Sequence, residues 1–70
     1  MGTNQKYSAR IHSRRQLHSI HTHLMSCTNQ LADVGVRYGE AAPTVTFACR
    51  EMIGMLNMVA TMVTDVRKNI

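Results

Sequence analysis

Two runs of apolar residues, spaced alternately by three and four positions, constrain the fold of this 70-residue chain more than any other feature. The first run consists of Leu17, Ile20, Leu24, Cys27, Leu31, Val34 and Tyr38. The second consists of Val45, Cys49, Met52, Leu56, Val59, Val63, Val66 and Ile70. A mean repeat of about 3.5 residues is typical of helices that pack in coiled coils and bundles. The sequence therefore predicts two amphipathic helices.

Glycine and proline mark one break between these helices. Gly39 suits the position that follows a helix, and Pro43 suits the first turn of the next one. We predict a single domain, 1–70, with helix 1 over about 8–38, a turn over about 39–43 and helix 2 over about 43–68. So short a connection makes the helices antiparallel neighbours. With the turn near residue 41, position i should face position 82 − i or thereabouts, so that Leu31 faces Met52.

The apolar face of helix 2 is too wide for one hairpin to cover, because Ala48, Met55 and Met62 broaden it. A chain of this length also buries too little surface to be comfortably stable alone. A homodimer solves both problems, and the alternatives are a hairpin that folds onto a partner or a higher oligomer. The predicted fold is therefore all-α, an antiparallel two-helix hairpin that homodimerises into a four-helix bundle.

The residues predicted to form the core and the dimer interface belong to the two repeats. They are Leu17, Ile20, Leu24, Cys27, Leu31, Val34, Cys49, Met52, Leu56, Val59, Val63 and Val66. Cys27 is expected to face Met55, which leaves Cys49 roughly 9 Å away along the axis, too far for a disulfide within the hairpin. Both cysteines are predicted to be buried free thiols in a reducing compartment, and a disulfide between two chains is the alternative.

The charge of the chain is uneven. The formal net charge is +4, and Lys6, Arg10, Arg14 and Arg15 all precede Asp33, the first acid. Such a balance favours an acidic partner, either a protein surface or a nucleic acid, unless the arginines only form a solvated face. The chain has no helix-turn-helix, ribbon-helix-helix or zinc-finger pattern. A protein partner is therefore preferred, and a small basic nucleic-acid-binding dimer or transcriptional regulator is the alternative function.

Two surfaces are candidates for contact with a partner. One is a strip of helix 1 that mixes arginine with apolar and histidine side chains, as the centres of protein interfaces do, although it would equally suit a broad bundle face. The other is the hairpin tip, where two aromatic residues either anchor a partner or cap the core. The residues predicted to bind a partner are Arg10, Arg14, Arg15, His18, His21, Met25, Tyr38 and Phe47.

No metal, cofactor or membrane span is predicted. His18 and His21 lie one turn apart, but no acid that could complete a zinc site precedes Asp33. The methionines of helix 2 are interpreted as a pliable core rather than as a copper site. The long apolar stretch 45–66 is broken by charged and polar residues, and the N-terminus lacks the apolar run of a signal peptide. We expect a soluble protein of the cytoplasm.

Catalytic activity is not predicted either. No nucleophile has a base at a workable spacing, and there is no glycine-rich phosphate loop. The acids are scattered along the chain, at Asp33, Glu40, Glu51 and Asp65. The sequence therefore points to a binding protein, and a scaffolding module that only self-associates is a further alternative.

A family resemblance is carried by the run SARIHSRRQLHSIHTHLMSCTNQLADVGVRYGEAAP and the run FACREMIGMLNMVATMVTDVRKNI that follows it. They resemble the phage-encoded quorum-sensing anti-activators, small proteins that phages infecting Pseudomonas make early in infection. The resemblance covers nearly the whole chain and rests on overall similarity rather than on a diagnostic motif. It implies a dimer of helical hairpins that inhibits two host proteins, a LuxR-type quorum-sensing activator and the assembly ATPase of type IV pili. Arg14, Arg15 and Tyr38 have the chemistry for such contacts.

Overall fold

The chain is a helical hairpin in the computed structural model, which describes the backbone of residues 2–70 and the side chains of residues 8–70. Helix α1 spans Gly2–Tyr38, a 3₁₀ helix spans Gly39–Ala41, and helix α2 spans Pro43–Lys68. No β-strand occurs in residues 2–70, so the predicted all-α fold of two packed helices is confirmed. Helix α1 begins well before the predicted start near Ser8, because neither glycine nor proline interrupts the chain between Thr3 and Val34.

The connection between the helices depends on Gly39 and Pro43. Gly39 has φ of +51°, a left-handed conformation that glycine adopts without steric cost and that commonly ends a helix. Pro43 lies in the first turn of α2, where its missing N–H removes no helical hydrogen bond. The Thr46 hydroxyl donates a hydrogen bond of 2.7 Å to the carbonyl oxygen of Gly39. This bond ties the start of the 3₁₀ helix to the first turns of α2.

The helices are antiparallel, but the predicted register is wrong. A Cβ atom built on Gly35 would lie 3.7 Å from the Cβ of Cys49, and His18 Nδ1 lies 3.4 Å from Arg67 Nη1. The residue numbers of each pair add to 84 or 85 rather than to the predicted 82. The midpoint of the hairpin therefore lies one to two residues closer to α2 than predicted, and Leu31 shares a cavity with Ile53.

Each helix packs on the other through one stripe of positions, which we call its inner stripe. The inner stripe of α1 consists of Leu17, His21, Leu24, Thr28, Leu31 and Gly35, all half-buried. That of α2 consists of Thr46, Cys49, Ile53, Leu56, Ala60 and Val63. The small side chains in both stripes allow the two backbones to approach closely, whereas methionine at the same positions would hold them apart.

Half of the predicted core therefore lies in the inner stripes, and half does not. The inner stripes contain Leu17, Leu24, Leu31, Cys49, Leu56 and Val63, and Val34 beside them is half-buried. The predicted core residues that remain exposed in the hairpin are Ile20, Cys27, Met52, Val59 and Val66. Each of these lies on the surface of its helix beside the inner stripe, rather than within it.

The cysteines show the effect of this displacement. Both thiols are free, but Cys49 is buried and Cys27 is exposed, so the expectation that Cys27 is buried against Met55 is wrong for one hairpin. Cys49 lies opposite Gly35, which is about 12 Å of helix rise from Cys27. That distance excludes a disulfide within the hairpin.

A single hairpin has almost no core. Among the described side chains, Cys49 and Ala60 are the buried hydrophobic ones, at 4% and 5% exposure. The molecule measures 60 × 15 × 11 Å, a rod only two helices wide. Most of its apolar side chains therefore face outward, and they define the candidate functional surfaces.

Candidate functional site

One flank of α2 carries an exposed apolar stripe parallel to its inner stripe. It consists of Ala48, Met52, Met55, Val59, Met62 and Val66, with alternating steps of four and three. The five large side chains among these are between 42% and 63% exposed. An apolar stripe with the repeat of a coiled-coil seam is suited to receive another helix.

Helix α1 extends this stripe on the same side of the hairpin. Ile20 and Cys27 precede the inner positions His21 and Thr28, as Met52 precedes Ile53 in α2. In two right-handed helices that run antiparallel, the positions preceding the contact stripe lie on one common side. Ile20 is 44% exposed and Cys27 is exposed. We call the combined surface of Ile20, Cys27 and the α2 stripe the methionine face.

The opposite side of the hairpin has a different character at its open end. Arg14, Arg15 and His18 of α1 line a shallow cavity of about 230 Å³ together with Arg67 of α2, and none of the lining residues is acidic. We call these four residues the basic cluster. The positions that follow the inner stripe, such as His18 after Leu17, lie away from the methionine face. The basic cluster and the methionine face can therefore be occupied at the same time.

Arg67 is held over α1 by His18. The guanidinium of Arg67 donates a long hydrogen bond, 3.4 Å from Nη1, to Nδ1 of His18. An imidazole nitrogen accepts such a bond only when it carries no proton. The bond positions the Arg67 charge without cancelling it.

Arg10 occupies a neighbouring cavity rather than the basic cluster. It lines this cavity with Ala9 and Ser13 of α1 and with Asn69 and Ile70 from the chain end. Ile70 thus lies beside α1, and Ala9 and Arg10 have a neighbour from the chain end that follows α2. Arg10 remains exposed at the same end of the molecule as the basic cluster.

The predicted strip on helix 1 is divided by the packing of α2. His18 and Met25 are exposed and follow inner positions, so they share the side of the basic cluster. His21 is half-buried in the inner stripe and faces α2. His21 thus takes part in the helix contact, and Met25, at 39% exposure, is the apolar neighbour of the cluster along α1.

The two aromatic residues of the hairpin tip, Tyr38 and Phe47, have different surroundings. Phe47 is 62% exposed and lines a cavity of about 250 Å³ with Gly39, Glu40 and Pro43. Tyr38 is 50% exposed and is not among the residues that line this cavity. Neither ring is buried against the hairpin core, which leaves both available for contact.

The histidines do not come together with other ligands. Within residues 8–70, no group of three or more His, Cys, Asp or Glu side chains is placed to hold a metal ion. His18 contacts Arg67, a cation, and His21 lies in the helix contact.

None of the described helices has a segment long and apolar enough to cross a membrane.

Arg67 is the functional candidate that sequence reasoning missed. It lies in the last turn of α2, far in sequence from the basic residues of helix 1. The signal that identifies it is the register, since a residue near 67 must face His18 once the turn is correctly placed.

Comparison of the chain with protein-family models, curated proteins and solved structures finds no match.

Proposed function

We propose that this chain is a non-enzymatic phage inhibitor protein that homodimerises into a four-helix bundle in the cytoplasm of the infected bacterium. It binds and blocks a host LuxR-type quorum-sensing activator and the type IV pilus assembly ATPase. The observation that carries the proposal is the division of the hairpin into an apolar methionine face and a basic side. Self-association uses the first and leaves the second open to another protein. The resemblance of the sequence to the phage anti-activators supplies the two targets.

The area of the hairpin supports the dimer. Its accessible surface is 5693 Å², about 1,300 Å² more than a compact monomer of 7.9 kDa would expose. A standard protein interface buries about 800 Å² on each partner. A second copy seated on the methionine face would remove its apolar side chains from water and complete a four-helix core. The hairpin thus has both the apolar face and the excess accessible surface that the predicted homodimer interface requires.

The test of the proposal is capture of the two named host proteins. Purified full-length chain should retain the regulator and the ATPase when each is supplied as a purified protein at physiological ionic strength. Arg14→Asp should lower retention of the partner that the basic side binds, whereas the control Arg37→Asp reverses an equal charge at an exposed position of α1 outside the basic cluster. Retention of neither protein would overturn the proposal.

A second pair of variants tests whether one surface or two are used. Arg14→Asp removes charge from the basic side, and Tyr38→Ala removes an exposed ring from the tip. If each target depends on a different variant, two surfaces bind two partners. If both variants unfold, these residues are structural, and circular dichroism would reveal it.

Binding of nucleic acid is the second candidate, and one observation favours it. No acidic residue lines the cavity of the basic cluster, and a dimer would present two such clusters. A duplex-DNA gel shift that weakens steeply with salt would support this function. The double substitution Arg14→Asp and Arg15→Asp should then abolish the shift.

A further inference from the structure

We infer that the basic cluster, completed by Arg67 of α2, is a carboxylate-binding site that accepts an acidic segment of a protein partner. The inference rests on the proposed function, because it gives the chemistry of the partner surface at the basic side. It adds a residue of α2 to a site otherwise made of α1 residues. The site therefore exists only when the hairpin is closed in the observed register.

The charges of the cluster require an anion. Three arginines line one cavity of about 230 Å³, and no acid among the lining residues offsets their repulsion. His18 positions Arg67 but leaves its charge uncompensated. A guanidinium binds a carboxylate through two parallel hydrogen bonds, and charge-assisted bonds of this kind are the strong ones. Two or three neighbouring carboxylates would match the number of these arginines.

The surroundings of the cluster favour a protein segment over a nucleic acid. Along the same side of the hairpin the surface becomes more apolar, first at Met25 and then at a cavity lined by Ala32, Val36 and Ile53, with Arg50 as the one charged residue of that lining. A nucleic-acid backbone would meet one further cation there, Arg50, and would leave the apolar groups uncovered. A protein segment with acidic residues at one end and apolar residues beyond them would cover both.

The test uses a fluorescein-labelled hexaglutamate peptide, a hexaglutamine peptide with the same label, and a labelled duplex DNA at one fixed ionic strength. Binding to the full-length chain is followed by fluorescence anisotropy. Arg67→Gln should weaken hexaglutamate binding by about fivefold, the upper range for losing one exposed ion pair. Lys68→Gln, the matched control, removes an equal charge from the adjacent position but does not line the cavity, and should weaken binding less than twofold.

Three results would overturn the inference. One is equal weakening by Arg67→Gln and Lys68→Gln, which would mean that only net charge matters. Another is hexaglutamine binding as tightly as hexaglutamate. The third is that Arg67→Gln weakens binding of the DNA duplex but not of the hexaglutamate peptide. That result would assign the cluster to nucleic acid. Circular dichroism and thermal unfolding of both variants establish that the hairpin is intact.

This measurement is separate from the test of the proposed function. A cluster that binds hexaglutamate through Arg67 while the chain retains neither host protein would leave the carboxylate site standing without the proposed targets. Capture of a host protein that Arg67→Gln leaves unchanged, with no Arg67-dependent peptide binding, would keep the inhibitor and remove the site.

Discussion

Gly54 lies in the middle of α2, where the absence of a side chain lowers the stability of the helix. A Cβ atom added there would meet nothing within 4 Å. Glycine in a helix interior costs about 0.5–1 kcal/mol relative to alanine. Gly54→Ala should therefore raise the free energy of unfolding by about that amount and raise Tm by several degrees. Thermal unfolding at one fixed chain concentration measures it, because the Tm of a dimer depends on concentration.

Gly39 should respond in the opposite direction. An added Cβ would again meet nothing within 4 Å, but the φ of +51° is costly for a residue with a side chain. Gly39→Ala should therefore lower stability by about 1 kcal/mol, without any clash. Gly39→Asn is the matched control and should lose less, since asparagine tolerates the left-handed conformation better. Equal Tm values for wild type and Gly39→Ala would contradict this account of the turn.

The role of the methionine face as a dimer interface can be tested by substitutions in α2. Met55→Glu places a charge within the face and should convert the proposed dimer to monomer, because burying an unpaired carboxylate costs several kcal/mol. Met58→Glu makes the same chemical change at a position of α2 with similar exposure, 67% against 63%, but outside the face, and should leave the dimer intact. Sedimentation equilibrium over a range of chain concentrations measures both. Two monomeric variants, or two dimeric ones, would place the interface elsewhere.

The helices were predictable from the sequence, but their contact surface was not. Alternating steps of three and four, the glycine after Tyr38 and the proline at residue 43 are sufficient to predict two antiparallel helices. In α2, however, two adjacent stripes have this repeat, and one sequence could not decide which of them faces α1. The structure selects the stripe with Cys49 and Ala60, since small side chains permit close packing of two backbones. Met52 and Val59 remain for a further contact.

The candidate site was predictable only in part, for a related reason. Arg14, Arg15 and His18 stand out as a local concentration of charge in one helix. Arg67 joins them only through the register, and an error of two or three positions was enough to hide it. Such an error is expected because the sequence around Gly39 indicates that the chain turns but not the conformation of the turn, here a 3₁₀ helix, on which the register of the two helices depends.

The assembly as a whole can be tested through its two thiols. Cys27 is exposed in one hairpin and belongs to the methionine face, whereas Cys49 is buried between the helices. A second copy on that face would cover Cys27 and would leave the burial of Cys49 unchanged. If the wild type is the proposed dimer, both thiols should therefore react slowly with N-ethylmaleimide. Mass spectrometry of the reacted chain, resolved by peptide, follows each cysteine separately.

The Met55→Glu variant gives this experiment its contrast. If it is a monomer, Cys27 should react many times faster than in the wild type, while Cys49 should stay slow because the hairpin still protects it. Fast reaction of both cysteines would mean that the monomer unfolds, and the dimer would then be needed for folding as well as for burial of the face. Equal Cys27 rates in wild type and variant would show that the second copy does not sit on the methionine face. Because α1 supplies Cys27 and α2 supplies Met55, a coupled change requires that both helices contribute to one interface, as a four-helix bundle demands.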